Sequence, residues 1–119
     1  MGLESSFQST AIAYLNGIPG CRAENVSGNA SQSGRPDLNA CYKGRMIKLE
    51  LKSPDHGNEA SKKQALELRR WNRAGAVTGV VYDMESIREL IDALNRGDQN
   101  YLFSRVDRGC ESWFTIPKV

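Results

Sequence analysis

The sequence predicts an α/β fold: a mixed central β-sheet flanked by helices, in the order αβββαβ, followed by an extra C-terminal helix and a β-hairpin. Three observations predict it. Residues 3–16 and 60–74 carry side chains sorted into faces at about 100° per residue, the mark of amphipathic helices. Residues 45–52 alternate, with Ile47, Leu49 and Leu51 on one side and Lys48, Glu50 and Lys52 on the other. Residues 77–82 form a nearly continuous apolar run, suited to a strand buried on both faces.

At 119 residues the chain is expected to form one domain with a single core. Hydrophobic content of 39% and charged content of 25% are those of an ordinary soluble globular protein. No apolar run approaches the roughly 20 residues of a membrane span, so no membrane partner is expected. The first residues lack the basic-then-apolar pattern of a secretory signal. Cys21, Cys41 and Cys110 are odd in number and scattered, with no CxxC pair. They read as reduced thiols in a cytoplasmic protein, not as a zinc site or a disulfide framework. A net charge of +2 is too small to identify a nucleic-acid partner by itself.

In chain order, the first helix places Phe7, Ala11, Ile12, Tyr14 and Leu15 in one arc, and Glu4 and Gln8 fall inside it. A carboxylate on a buried face is costly unless something pairs with it. Glu4 and Gln8 are therefore expected to point at a functional site. The alternative for Glu4 is a surface residue of the first turn, favoured by the helix dipole. Gly17 to Gly20 ends the helix, and residues 21–27 form a weakly patterned strand. Gly28–Gly34, rich in Ser, Asn and Gly, is a loop. Residues 37–43 and 45–52 make a hairpin around Lys43-Gly44. Ser53–Glu59 is a second loop. In the helix over 60–74, Lys62, Lys63, Arg69, Arg70 and Arg73 cluster on one side with Leu66 among them, while Gln64, Leu68 and Trp71 lie opposite. Asp83 caps a third helix with a stripe of Ile87, Leu90, Ile91 and Leu94, ended by Gly97. Residues 101–106 and 111–116 make a final hairpin, expected to close the sheet edge or to pair with a second subunit.

The chemistry concentrates at Pro36-Asp37 and Glu50-Leu51-Lys52. Asp37 stands in a turn near the strand that carries Glu50, and Lys52 follows Glu50 on the same face. Two carboxylates beside an ammonium suit a hard divalent cation held through oxygen, with the lysine steadying an attacking water or developing phosphate charge. The competing reading is an ion-pair network on a half-exposed sheet. Oxygen-only ligation points to Mg2+ or Mn2+ over Zn2+. The backbone carbonyl of Leu51, between the two functional side chains, is a third candidate ligand. Lys48 reads either as a DNA contact or as a solvated lysine, and Arg35 either as a phosphate contact or as solvated. The basic helix side is either a solvated face or a phosphate-contacting ridge. His56, the only histidine, is read as incidental to the site, with a general base as the alternative.

Gly34-x-Pro36-Asp37, Glu50-x-Lys52, a helix opened by Gln64 and the turn Ala74-Gly75-Ala76 resemble the PD-(D/E)XK nuclease superfamily. More narrowly, the chain resembles the virus-type replication–repair nuclease family, VRR-NUC, in its small stand-alone phage and bacterial form. The likeness covers roughly residues 3–94. It implies a restriction-endonuclease-like core and a metal-dependent endodeoxyribonuclease. The implied catalytic residues are Asp37, Glu50, Lys52 and Gln64, and the implied metal ligands Glu4, Asp37, Glu50 and the Leu51 carbonyl. Gln8, Arg35, Lys48, Lys62, Lys63, Arg69, Arg70 and Arg73 are the expected DNA contacts. The stand-alone members are similar to Holliday-junction resolvases, so a branched DNA substrate, a homodimer and a bacterial host cytoplasm are expected. The alternatives are a general, flap or nicking repair nuclease, and a non-catalytic DNA-binding subunit.

Overall fold

A computed structural model describes residues 3–26, 36–53 and 61–119, with the side chains of the first helix from Ser6 onward. The element order is helix α1 (Leu3–Asn16), strands β1 (Cys21–Asn25), β2 (Leu38–Tyr42) and β3 (Arg45–Leu51), helix α2 (Lys62–Arg73), strand β4 (Val77–Val81), helix α3 (Met84–Arg96), and strands β5 (Tyr101–Asp107) and β6 (Cys110–Ile116). This order follows the expectation. The sheet is larger than the anticipated core of about four strands: it has six, in the order β1-β2-β3-β4-β6-β5. The C-terminal hairpin joins it through β6, which runs antiparallel to β4. Only β3 and β4 run parallel among the described strands.

Both tight hairpins are made the same way. Lys43-Gly44 and Arg108-Gly109 each take two successive positive φ angles (52° and 77°, 54° and 77°). Two left-handed residues form the turn whose twist matches that of the flanking strands, and glycine supplies the second at no steric cost.

The two sheet faces differ. Alternation sends Leu38, Ile47, Leu49, Leu51, Val77, Val81, Phe114 and Ile116 to one face, where they pack with Leu15 of α1 and Ile87 and Leu90 of α3. Phe103 stacks on Phe114 with ring centroids 4.8 Å apart, and Tyr101 meets it edge-on at 5.9 Å. These rings fasten the last hairpin to the core. The other face carries α2, which packs against β3 and β4. The cross-strand register sorts this face into rows. One row reads Glu24, Asn39, Lys48, Thr78, Thr115 and Leu102; the next reads Val26, Asp37, Glu50, Val80, Trp113 and Ser104, with Asp37 one step beyond the last β2 pair. The second row lies toward the carboxyl ends of the parallel pair, where open α/β sheets bind ligands.

Candidate active site

Asp37 precedes β2, and the register that pairs Leu38 with Leu49 sets it opposite Glu50. Its carboxylate is held in place: Oδ2 accepts a hydrogen bond of 2.9 Å from the backbone N–H of Leu51. On the other side of β3, the N–H of Lys52 donates to the Val81 carbonyl at 2.9 Å. Successive residues of a strand alternate their polar groups between neighbours, so both backbone groups of Leu51 face the Asp37 side. Two steps beyond Leu38↔Leu49, the position opposite Leu51 is Pro36. Proline has no N–H, so it leaves the Leu51 carbonyl without the ladder donor any other residue would supply. The Pro-Asp pair thus does two things. Asp37 takes up the Leu51 N–H, and Pro36 offers no N–H to the Leu51 carbonyl.

Glu50 projects away from the apolar core, as the alternation predicts. It is nevertheless 0% exposed, which does not suit the competing reading of an ion-pair network on a half-exposed sheet. The reason is its central place in the sheet, next to Val80 on the face that α2 covers. Asp37 and Lys52, at the rim, are half-buried and partly reached by solvent. By chemistry, the oxygens of Asp37, Glu50 and the Leu51 carbonyl could hold a hard cation such as Mg2+ or Mn2+. Among the described residues no three His, Cys, Asp or Glu side chains gather to hold a metal ion. The third acidic candidate, Glu4, has its side chain outside the described residues. So do Arg35 and His56 altogether.

Three other expected site residues have different surroundings. Gln8 is buried, and its Oε1 accepts from the Asn25 Nδ2 at 3.3 Å. Asn25 shares the parity of Ala23, which belongs to the α1 core. Gln8 is therefore on the face opposite Glu50, and the structure does not bring the two together. Gln64 caps its own helix. Its Oε1 accepts from the Ser61 N–H at 2.9 Å, and the Ser61 hydroxyl accepts from the Gln64 N–H at 3.1 Å. This is the reciprocal capping box, and the S-x-x-Q spacing at 61–64 was the signal for it. Lys48 is only 7% exposed. Its Nζ donates to Asn39 Oδ1 at 2.6 Å and lies 4.0 Å from the centre of the Trp71 ring. Lys48 thus ties α2 to the sheet; it is not an open phosphate contact.

The basic ridge is placed as expected. Lys62, Lys63, Arg69, Arg70 and Arg73 are all exposed along the outer side of α2, with Leu66 among them. Arg70 pairs with Glu67 at 3.3 Å, a solvent-screened contact of little energetic weight. A scan against protein-family models finds none that matches, and neither the curated proteins nor the solved structures return a match.

Proposed function

We propose that this chain is a metal-dependent, structure-selective DNA endonuclease of the VRR-NUC type. In this reading it has a restriction-endonuclease-like core, acts as a homodimer on four-way junctions, and works in a bacterial host cytoplasm. One observation supports this above the others: the register sets Asp37 opposite Glu50, the Asp37 carboxylate accepts from the Leu51 N–H, and Pro36 offers no ladder donor to the Leu51 carbonyl, with Lys52 next in sequence. A surface ion-pair network gives no reason for a proline opposite that carbonyl, nor for a glutamate at 0% exposure.

Asp37, Glu50 and the Leu51 carbonyl would hold the ion. Once bound, it supplies Lewis acidity toward the scissile phosphate and makes a water acidic enough to be a nucleophile near neutral pH. The chain's own residues do the rest. The Leu51 N–H fixes the Asp37 carboxylate before substrate arrives, so little reorganisation is left for the reaction step. Lys52 faces the negative charge that builds on phosphorus as water adds and the ester oxygen leaves. The exposed cations of α2 attract the DNA backbone, and each phosphate contact adds salt dependence to binding.

The test is cleavage of a labelled four-way junction beside a matched linear duplex, with Mg2+, Mn2+ or EDTA, using wild type and Asp37→Ala. Paired symmetric cuts in the junction, lost with EDTA and in the variant, are expected. Equal cleavage of both substrates would reduce the reading to a general nuclease. Tight DNA binding without cleavage in either metal would replace it with a non-catalytic binding subunit.

A further inference from the structure

We infer that β5 is a homodimer interface: two copies join β5 to β5 antiparallel about a two-fold axis at Ser104, so that two six-stranded sheets become one of twelve strands. β5 pairs with β6 over its whole length, from Tyr101↔Ile116 to Asp107↔Cys110. Its outer backbone groups take no hydrogen bond among the described residues. Proteins protect such edges with prolines, bulges, charges or a covering group. The opposite edge of this sheet is protected: Asn16 of α1 accepts from the Ala23 N–H at 2.8 Å and donates to the Ala23 carbonyl at 3.0 Å. Arg22 and Glu24 flank that plug. β5 has neither a proline nor a lysine, and its one arginine is committed to Asp83 and Glu85. A bare ladder of this kind specifies a β-strand as its occupant.

Which strand follows from the side chains. Leu102 and Val106 are 69% and 68% exposed on the α2 face and stand two residues either side of Ser104. A two-fold at Ser104 puts each Leu102 opposite the other copy's Val106, so both apolar pairs close at once. On the other face the same register sets Arg105 against Phe103 and Asp107 against Tyr101. Cation meets ring, and no charge meets its own sign. Centring on Arg105 would oppose two arginines and set Leu102 against Arg108. Centring on Phe103 would set Leu102 against Ser104 and Val106 against Asn100. Of these three registers, the one at Ser104 matches the strand to itself best.

The row that contains Asp37 and Glu50 also contains Ser104. The two-fold therefore continues that row into the second copy and leaves both carboxylate pairs on one face of the joint sheet. The two Glu50 residues are then seven strand steps apart, about 34 Å along the sheet at ~4.8 Å per step. Their use as paired cutting sites rests on the nuclease reading; the interface does not.

The experiment is sedimentation and non-reducing electrophoresis of wild type, Ser104→Cys and the double variant Leu102→Lys/Val106→Lys. Opposed residues of an antiparallel pair have Cα atoms about 4.5–5.5 Å apart, within disulfide reach. Wild type should sediment as a dimer, and Ser104→Cys should become a covalent dimer under mild oxidation. Wild type, with only Cys21, Cys41 and Cys110, should not. The double variant should be monomeric with an unchanged circular dichroism spectrum, since both side chains are exposed. If that variant fails to fold, the cross-link decides. A monomeric wild type, a dimer that survives both lysines, or a Ser104→Cys protein that does not cross-link overturns the interface. None of these readouts involves DNA, so loss of the interface and loss of the nuclease reading remain separable.

Discussion

Replacing Lys48 with methionine should cost stability and leave DNA affinity alone. The structure supplies the terms. The ammonium donates a 2.6 Å hydrogen bond to Asn39 and sits 4.0 Å from the Trp71 ring centre. A hydrogen bond to a charged group contributes about 1.5–3 kcal/mol, and a desolvated cation–π contact about 2 kcal/mol. Methionine keeps the stem buried and removes the cost of holding an ammonium at 7% exposure, which offsets part of the loss. The net expectation is a destabilisation of about 1–3 kcal/mol. For 119 residues that is a fall in Tm of roughly 4–12 °C. Urea unfolding measures the first quantity and calorimetry the second, with fluorescence anisotropy on a labelled duplex as the control. An unchanged Tm together with a clear loss of DNA affinity would refute the assignment and return Lys48 to the phosphate-contacting set.

Glu50→Ala and Glu50→Gln should both abolish cleavage but differ in stability. At 0% exposure the alanine leaves a cavity costing about 2 kcal/mol, while glutamine keeps the volume; equal unfolding midpoints would mean that Glu50 is solvated in solution. Gly79→Ala should destabilise by at least ~3 kcal/mol: a Cβ there would press on the Trp113 carbonyl and stand 2.7 and 2.8 Å from the Phe114 Cβ and Cα. A near-normal urea midpoint would show that β4 and β6 can separate at that point. The Cys21 thiol is pushed up from 9.0 by burial, and further by Cys41. The folded state therefore retains that proton above pH 9.0 while the unfolded chain loses it, so stability falls as pH rises through the folded value. At pH 8, Cys21 should react with a thiol reagent more slowly than the exposed Cys41; the reverse order, read by mass spectrometry, would contradict its burial.

The parts of the fold that depend on local periodicity were legible. The alternation at 45–52, the apolar run at 77–82 and the Asp83 cap each report a constraint carried by neighbouring residues, and each element formed there. The last hairpin was read as closing the sheet edge or pairing with a second subunit; it extends the sheet at that edge, and the strand it joins was not legible, because the pairing of β6 with β4 joins Thr78 to Thr115 across intervening elements. At the candidate site, the Pro36-Asp37 and Glu50-Lys52 pieces, read from separate stretches of sequence, fall at one corner of the sheet, with Asp37 opposite Glu50. Three side chains were then assigned by face alone. For Gln64 a local competitor, the Ser61 cap, took its side chain, and that spacing could have been read. For Lys48 the deciding partner was Trp71 on another element, and no single-strand pattern reveals how a helix crosses a sheet. For Gln8 the helical wheel gave burial correctly but not which sheet face the helix covers.

The sheet face that α1 covers constrains how the candidate site is built. The carboxylates lie on the α2 face, whereas α1 packs on the other. A residue of α1 can therefore reach them only around the end of the sheet. Gln8 already meets Asn25, which is paired with Leu38, the residue after Asp37. The first turn of α1, which carries Glu4, leads away from the helix interior at that same end. If Glu4 completes the donor set, it does so from the first turn, where a carboxylate also interacts favourably with the helix dipole. Glu4→Gln should then weaken Mn2+ binding in calorimetry while leaving Tm without metal unchanged. Undiminished Mn2+ binding would confine the metal site to Asp37, Glu50 and the Leu51 carbonyl.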